Sequence, residues 1–198
     1  MRECFDRHGC DKGRRHGYER VYEPAFSDVR YEPLYILEVG IYKGASLAAW
    51  VDYFPNATIV GIDTFGRIKP SDIPILNHPR VEWHYHDSTM PIVGLLTEYC
   101  RLKLFDIVID DGLHTHTSQR KTFECLMPYA VRYFIEDVWA LDYMTPAEKK
   151  HKWLKNDGYS DGEYQKLMNA LKPHDVKFHD LRTGYQPDSF IIEVADAK

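Results

Sequence analysis

The residues best suited to chemistry form two short acidic runs. FDIVIDDGLHTH ends a β-branched run with Asp110 and Asp111 and places His114 three residues beyond the second acid, while YFIEDVW ends another run with Glu136 and Asp137. Parallel neighbours in a sheet lie about 4.8 Å apart, so carboxylates leaving the same end of two adjacent strands can converge on one cation with oxygen ligands. Without a cation they would repel one another. Consecutive strand residues face opposite sides, so both members of a pair can serve one crevice only where the strand breaks into loop. Gly112 and Val138 sit at such breaks. An isolated histidine here would be read as a cap of the helix beginning near Thr115, but the position of His114 just after an acid pair favours a functional role.

Elements that could hold these runs in place follow from periodicity. β-Branched runs alternate with helical stretches from residue 34 onward, the pattern of an α/β fold: a mostly parallel sheet with helices on both faces. Seven strands are predicted, over 34–39, 57–63, 81–87, 105–111, 131–138, 176–182 and 189–195. Helical spacing marks 45–54, 91–102 and 117–129 as crossovers. TGYQPDS leaves no room for a helix, so the last two strands should pair as an antiparallel hairpin. The whole chain, 1–198, reads as a single domain: an irregular arm with one or two short helices over 1–33, a core over 34–138, an insertion over 139–175 with helices at 146–155 and 160–172, and the hairpin over 176–198.

In open α/β sheets the ligand lies beyond the carboxyl ends of the strands, where strand order reverses. LEVGIYKGAS supplies Glu38, Gly40 and Gly44, a strand followed by a glycine turn and a helix start, which lets backbone approach a ligand closely. Asp63 closes the second strand about 20 residues on, where an acid can accept both ribose hydroxyls. Asp87 closes the third strand, and with Ser88 it lies where an adenine edge would be read. The GxxxG spacing leaves a phosphate cradle incomplete, and an acidic crevice repels a pyrophosphate while welcoming a sulfonium. S-adenosyl-L-methionine fits better than NAD. One such acid alone would be read as a helix cap or a solvated loop residue; the ordered series argues for a cofactor crevice.

These residues resemble the class I S-adenosylmethionine-dependent methyltransferases: EVGIYKG is similar to their first motif, and Asp63 and Asp87 to their ribose and adenine acids. The resemblance covers 34–138 and the final hairpin. DDGLH together with ED resembles the magnesium-dependent macrolide-sugar O-methyltransferases, such as those of mycinamicin biosynthesis. That resemblance implies Mg2+ or another divalent cation on Asp111, Glu136 and Asp137, with His114 as general base and Asp110 turned toward the methionine end of the cofactor. It also implies a small-molecule acceptor, a sugar diol on a natural product or nucleotide. A metal-bound diol is more acidic, and an imidazole can take its proton as oxygen attacks the methyl group. The arm segment DKGRRHGYERVYEPAF resembles a stretch that covers the cofactor in related enzymes, which marks Lys12, His16 and Tyr18 as lid contacts. Packing of the arm for stability, with its charges exposed, is the competing reading of Lys12.

Trp139 and Tyr143, directly after the second acid pair, are the first candidates for acceptor contacts, since aromatic faces border many carbohydrate sites. They could equally belong to a small core of the insertion. His84 and His86 share one strand face and are expected to pack against helices outside the site, and His116 is expected on a helix surface. Three other functions compete. Catechol O-methylation uses a similar metal-bound diol, but its motif pairs aspartates with an asparagine; a cephalosporin-hydroxylase-like oxidative enzyme shares the acidic motif; and a noncatalytic S-adenosylmethionine-binding module would keep only the fold.

The totals narrow the field. With 198 residues, 44% of them apolar, the chain can fill one core. A formal charge of −5 and the lack of a basic block argue against nucleic acid. No stretch approaches the roughly 20 apolar residues that span a bilayer, and MRECFDRHGC lacks the apolar run of a signal peptide, so a cytoplasmic protein without membrane partners is expected. Cys4, Cys10, Cys100 and Cys125 form no CxxC pair and read as reduced thiols, and Cys4, His8, Cys10 and His16 fit none of the usual zinc spacings. The best-known macrolide-sugar enzymes are longer, some with an N-terminal oligomerisation domain for which 198 residues leave no room, so homo-oligomerisation stays open.

Overall fold

A computed structural model describes residues 1–92, 104–156 and 158–196. The predicted crossover helix at 91–102, with Cys100, falls mainly outside these residues. The strands are β1 Tyr35–Val39, β2 Thr58–Asp63, β3 Val81–Tyr85, β4 Phe105–Asp110, β5 Ala130–Ile135, β6 Asp175–Asp180 and β7 Phe190–Ala195. The described helices are α1 Arg2–Arg7, α2 Glu19–Phe26, α3 Ala45–Tyr53, α4 His116–Leu126 and α5 Asp161–Leu171. The strands form one sheet in the order β3-β2-β1-β4-β5-β7-β6, in which β1 to β5 run parallel and β7 is antiparallel to both β5 and β6. This is the mostly parallel seven-stranded sheet with an antiparallel terminal hairpin expected from the runs and from the short final link. Strand order reverses between β1 and β4, which opens the crevice at their carboxyl ends.

Alternation along each strand divides the core in two. Ile36, Ile59, Ile107, Phe134 and Ile191 face the cluster that contains α3, Phe5, Tyr22 and Phe26, whereas Leu37, Val60, Val108, Tyr133 and Ile192 face the cluster that contains Phe123, Leu126, Leu167 and Leu171. The first layer is therefore built partly from the N-terminal arm. Phe5 packs edge-on against Trp50 at 5.2 Å, and Tyr22 and Phe26 pack on Phe134 at 5.4 and 5.1 Å between ring centroids. Cys10 is buried in the same layer, and burial pushes its thiol up to about 12, which suits an inert apolar filler.

Two expectations need correction. Residues 146–155 do not form an α-helix but two 3-10 turns, Glu148–Lys150 and Lys152–Lys155. They are separated by His151, whose extended backbone (ψ 141°) lets its ring lie on Trp139 with centroids 4.8 Å apart. His116 is not on a surface: it is fully buried, its Nε2 lies 2.8 Å from the Trp139 carbonyl, and Tyr159 and Tyr164 of the insertion cover its ring. No described helix is long and apolar enough to cross a membrane.

The hairpin is clamped by Glu193 of β7, which accepts from Arg132 of β5 at 2.6 Å and contacts His179 of β6 at 3.0 Å. The His179 hydrogen bond, followed by the bond and charge of Arg132, lowers the Glu193 carboxyl from its ordinary 4.5 to about 2, against the opposing effect of burial. A depressed carboxyl pKa adds stability that is present above the unfolded value and lost as pH falls through the folded one. Glu193→Gln should therefore cost about 1–2 kcal/mol at pH 7, with allowance for solvent screening. In urea unfolding, that difference should shrink between pH 4.5 and pH 2; a pH-independent difference would assign the loss to packing instead.

Candidate functional site

A cavity of about 940 Å³ runs along the carboxyl ends of the strands and is walled by Gly40, Asp63, Asp87, Asp111, His114 and Asp137 among others. The turn after β1 forms one wall. Gly40 has φ +90°, and a Cβ there would come within 2.2 Å of the Asp111 carbonyl oxygen, so only glycine lets the loops after β1 and β4 approach this closely. Asp63 accepts backbone N–H groups from Ile41 at 2.8 Å, Tyr42 at 3.1 Å and Phe65 at 2.6 Å, which ties the turn to the end of β2. A carboxylate has about four acceptor positions, so these three bonds leave about one. Asp87 accepts from the Thr89 hydroxyl at 2.7 Å and its N–H at 3.0 Å, bonds that hold its carboxyl below the usual range. The Ser88 and Thr122 hydroxyls lie 2.9 Å apart. His86, which the sequence reading left out of the site, also lines this end of the cavity.

Sheet register sorts the acids at the other end. Val39 pairs with Asp110 and Asp110 with Ile135, so Glu38, Asp111 and Glu136 point to the face covered by the arm, and Asp110 points to the opposite face. Asp110 is buried there, accepting from Tyr133 Oη and the Gly112 N–H, both at 3.3 Å, and burial pushes its carboxyl up to about 7. Glu38 is fully buried behind the glycine turn, accepts from Ser46 Oγ at 2.9 Å, and is likewise pushed up to about 7 by burial, against the pull of Lys12. Of the residues expected at the cofactor, Gly40, Asp63, Asp87 and Ser88 line the cavity, whereas Glu38, Gly44 and Asp110 stand behind its walls. Gly44, at φ +77°, starts α3 against Ile73 and Ile75.

The expected metal acids separate in the same way. Asp111, His114 and Asp137 each present one atom such that all three lie within 4.8 Å of one another. His114 Nε2 is 3.6 Å from Asp111 Oδ1, and His114 Nδ1 is 3.8 Å from Asp137 Oδ2. That Nδ1 is buried without a hydrogen-bond partner. Burial raises the Asp137 carboxyl, with His114 acting against it. The two carboxylates, open to the cavity and with the His114 imidazole between them, are oxygen donors that would suit a small divalent cation. Glu136 is 1% exposed and is occupied elsewhere: its oxygens meet the Lys12 ammonium and the Tyr22 hydroxyl.

The arm supplies the remaining contacts. The Tyr18 hydroxyl donates to Asp137 Oδ1 and accepts the Asp137 N–H at 3.2 Å, while His16 Nδ1 lies 2.8 Å from Ser189 Oγ and 3.5 Å from Asp137 Oδ1. Lys12 is buried against Asp111 rather than exposed, at 2.5 Å. Tyr22 and Ser189 were missed by the sequence reading. Tyr22 had one usable signal, its place one helical turn beyond Tyr18; Ser189 had none, because only the β7 pairing brings it near. Trp139 and Tyr143 do not line the cavity: Trp139 is buried in the insertion's own core, and Tyr143 packs on Phe178 and Phe190 at the hairpin.

No family model matches the chain. It is 36% identical over 146 residues to an 8-demethyl-8-(2-methoxy-alpha-L-rhamnosyl)-tetracenomycin-C 3'-O-methyltransferase of Streptomyces olivaceus, covering 67% of this chain and 35% of that protein. It is 34% identical over 192 residues to the demethylmacrocin O-methyltransferase of Streptomyces fradiae, covering 91% and 46%. Among solved structures it is similar to the MycE methyltransferase of the mycinamycin biosynthetic pathway in complex with Mg and SAH, with TM-score 0.68 and 26% identity over 98% of this chain and 53% of that one. The chain thus spans about half or less of the length of these relatives. With the sheet order, the glycine turn and the strand-end acids already in place, these likenesses make the chain a class I S-adenosylmethionine-dependent methyltransferase by family, related to the O-methyltransferases of macrolide and polyketide sugars.

Proposed function

We propose that this chain transfers a methyl group from S-adenosyl-L-methionine to a hydroxyl of a small molecule, a sugar carried by a natural product, with a divalent cation such as Mg2+ at the acceptor side. The observation that carries the proposal is the meeting of Asp111, Asp137 and His114 at the cavity rim, beside the Gly40 turn. The Gly40 turn, Asp63, Asp87 and Ser88 would hold the cofactor, and the acids of this crevice suit its sulfonium. Asp111 and Asp137 would hold the cation, and Glu136 would be available as a third ligand only if released from Lys12. When bound, the cation makes a chelated diol more acidic and fixes its orientation.

The protein's own part is positioning and proton transfer. Tyr18 and His16 fix the Asp137 carboxylate from the arm side, so that its orientation does not depend on solvent. His114 lines the cavity between Asp111 and Asp137, with Nδ1 buried toward Asp137 and Nε2 on the Asp111 side, and its imidazole would accept the hydroxyl proton as the oxygen attacks the methyl group. The transfer needs no covalent intermediate; in-line placement of donor and acceptor supplies most of the acceleration.

Incubation with S-adenosylmethionine, Mg2+ and rhamnosylated or macrolide acceptors should give a product 14 mass units heavier, the gain of one CH2 (on the order of one methyl replacing one hydrogen). Chelation of divalent ions should abolish it. Turnover that depends instead on iron and 2-oxoglutarate would turn the reading to the oxidative relative, and cofactor binding with no turnover on any diol would support a binding module. His114→Ala should leave Mn2+ and cofactor affinity near wild type and reduce turnover about 10²- to 10⁴-fold. Weakened Mn2+ binding in that variant would make His114 a ligand rather than the base. Asp137→Asn should weaken Mn2+ binding at least about tenfold by titration calorimetry; unchanged affinity removes Asp137 from the ligand set.

A further inference from the structure

Lys12 lies in the loop between α1 and α2, and only 1% of it is exposed. Its ammonium donates to Asp111 Oδ2 at 2.5 Å and to Glu136 Oε2, with Glu38 Oε1 at 3.6 Å. Glu136 gives its other oxygen to Tyr22, and Asp111 turns its other oxygen toward His114. Asp111 and Glu136 follow neighbouring strands in register on one face, so their carboxylates form a natural pair for a cation. In this arrangement the cation is a lysine.

We propose that Lys12 is a tethered competitor of the divalent cation, holding Glu136 and one oxygen of Asp111 while the arm is docked and yielding them when the ion binds. This rests on the cation site proposed at Asp111 and Asp137. An ammonium and a dication on the same Asp111 carboxylate repel each other at short range in a medium that screens poorly. Lys12 also lines the cavity, and its flexible four-carbon stem lets the ammonium swing into that space without moving the helices on either side. Linkage is reciprocal: to the extent that the docked arm weakens ion binding, the ion weakens the seating of Lys12. Lys12 is thus a positioning residue that decides how many acids the ion meets.

Two measurements test this without any turnover assay. In the wild-type protein, acetylation of Lys12 by acetic anhydride, read by mass spectrometry, should rise several-fold when Mg2+ is added; unchanged or reduced labelling overturns the proposal. In cofactor-free protein, Lys12→Met should bind Mn2+ at least about tenfold more tightly than wild type, about 1.4 kcal/mol, and Lys12→Met/Glu136→Gln should lose that gain. Equal or weaker binding by folded Lys12→Met, or a gain that survives in the double variant, overturns it. Should Lys12→Met fail to fold, the labelling result decides. Asp137→Asn separates the two readings. If it binds Mn2+ like wild type, Asp137 leaves the ligand set and the site proposed at Asp111 and Asp137 falls; if it loses the ion while Lys12→Met gains nothing, only the competition falls.

Discussion

Like charges buried side by side are the constraint on which the rest of this structure turns. β1, β4 and β5 end together, and alternation sends Glu38, Asp111 and Glu136 to the same side of the sheet. Two of these carboxylates, Glu38 and Glu136, are buried, and a charge taken out of water needs a partner of opposite sign. The arm answers that demand with the Lys12 ammonium and the Tyr22 hydroxyl, and sets the Tyr18 hydroxyl on the neighbouring Asp137. Its aromatic packing against Phe134 and Trp50 is therefore tied to the electrostatics of the strand ends, and neither makes physical sense without the other.

The same alternation separates two environments that one acidic sequence run would suggest are one. Asp110 belongs to the opposite layer, with Tyr133, where burial favours its neutral form. Asp111 stays partly open to the cavity and shares it with His114 and Asp137. Adjacent aspartates thus differ in chemistry because a strand residue cannot choose its side. The cofactor end of the cavity is ordered differently, by carboxylates that accept backbone N–H groups: Asp63 holds the glycine turn, and Asp87 holds its own loop. Those acids are shaped by the backbone they bind, whereas the acids at the metal end are shaped by side chains from a distant segment.

Sheet composition, strand count and the closing hairpin were legible in the sequence because β-branched runs and a helix-free link leave few alternatives. The candidate site was legible as a set of positions, less so as a set of contacts. Runs such as IDDG and IEDV mark strand ends but do not say which member of each pair faces which layer, and so the separation of Glu136 from Asp137 was hidden. Lys12 reads either as a lid contact or as an exposed charge of the arm, and nothing local signals its burial on strand-end acids: its partners lie 99 and 124 residues away. The insertion misled for a similar reason. His151 leaves helical geometry and packs against Trp139, and His116 goes inside because the insertion covers it, both of which are tertiary effects overriding local preference.

His114 and Asp137 both adopt left-handed backbone conformations, with φ of +59° and +52°. For residues with a Cβ this region is sparsely populated and carries a cost on the order of 1 kcal/mol or more, with aspartate, asparagine and histidine among the best tolerated. Here the backbone and the proposed chemistry select from the same short alphabet of side chains. Mutational paths through these two positions are accordingly narrow: a β-branched or bulky replacement would be rejected by the turn before its chemistry mattered, and glycine would satisfy the turn while erasing the functional group.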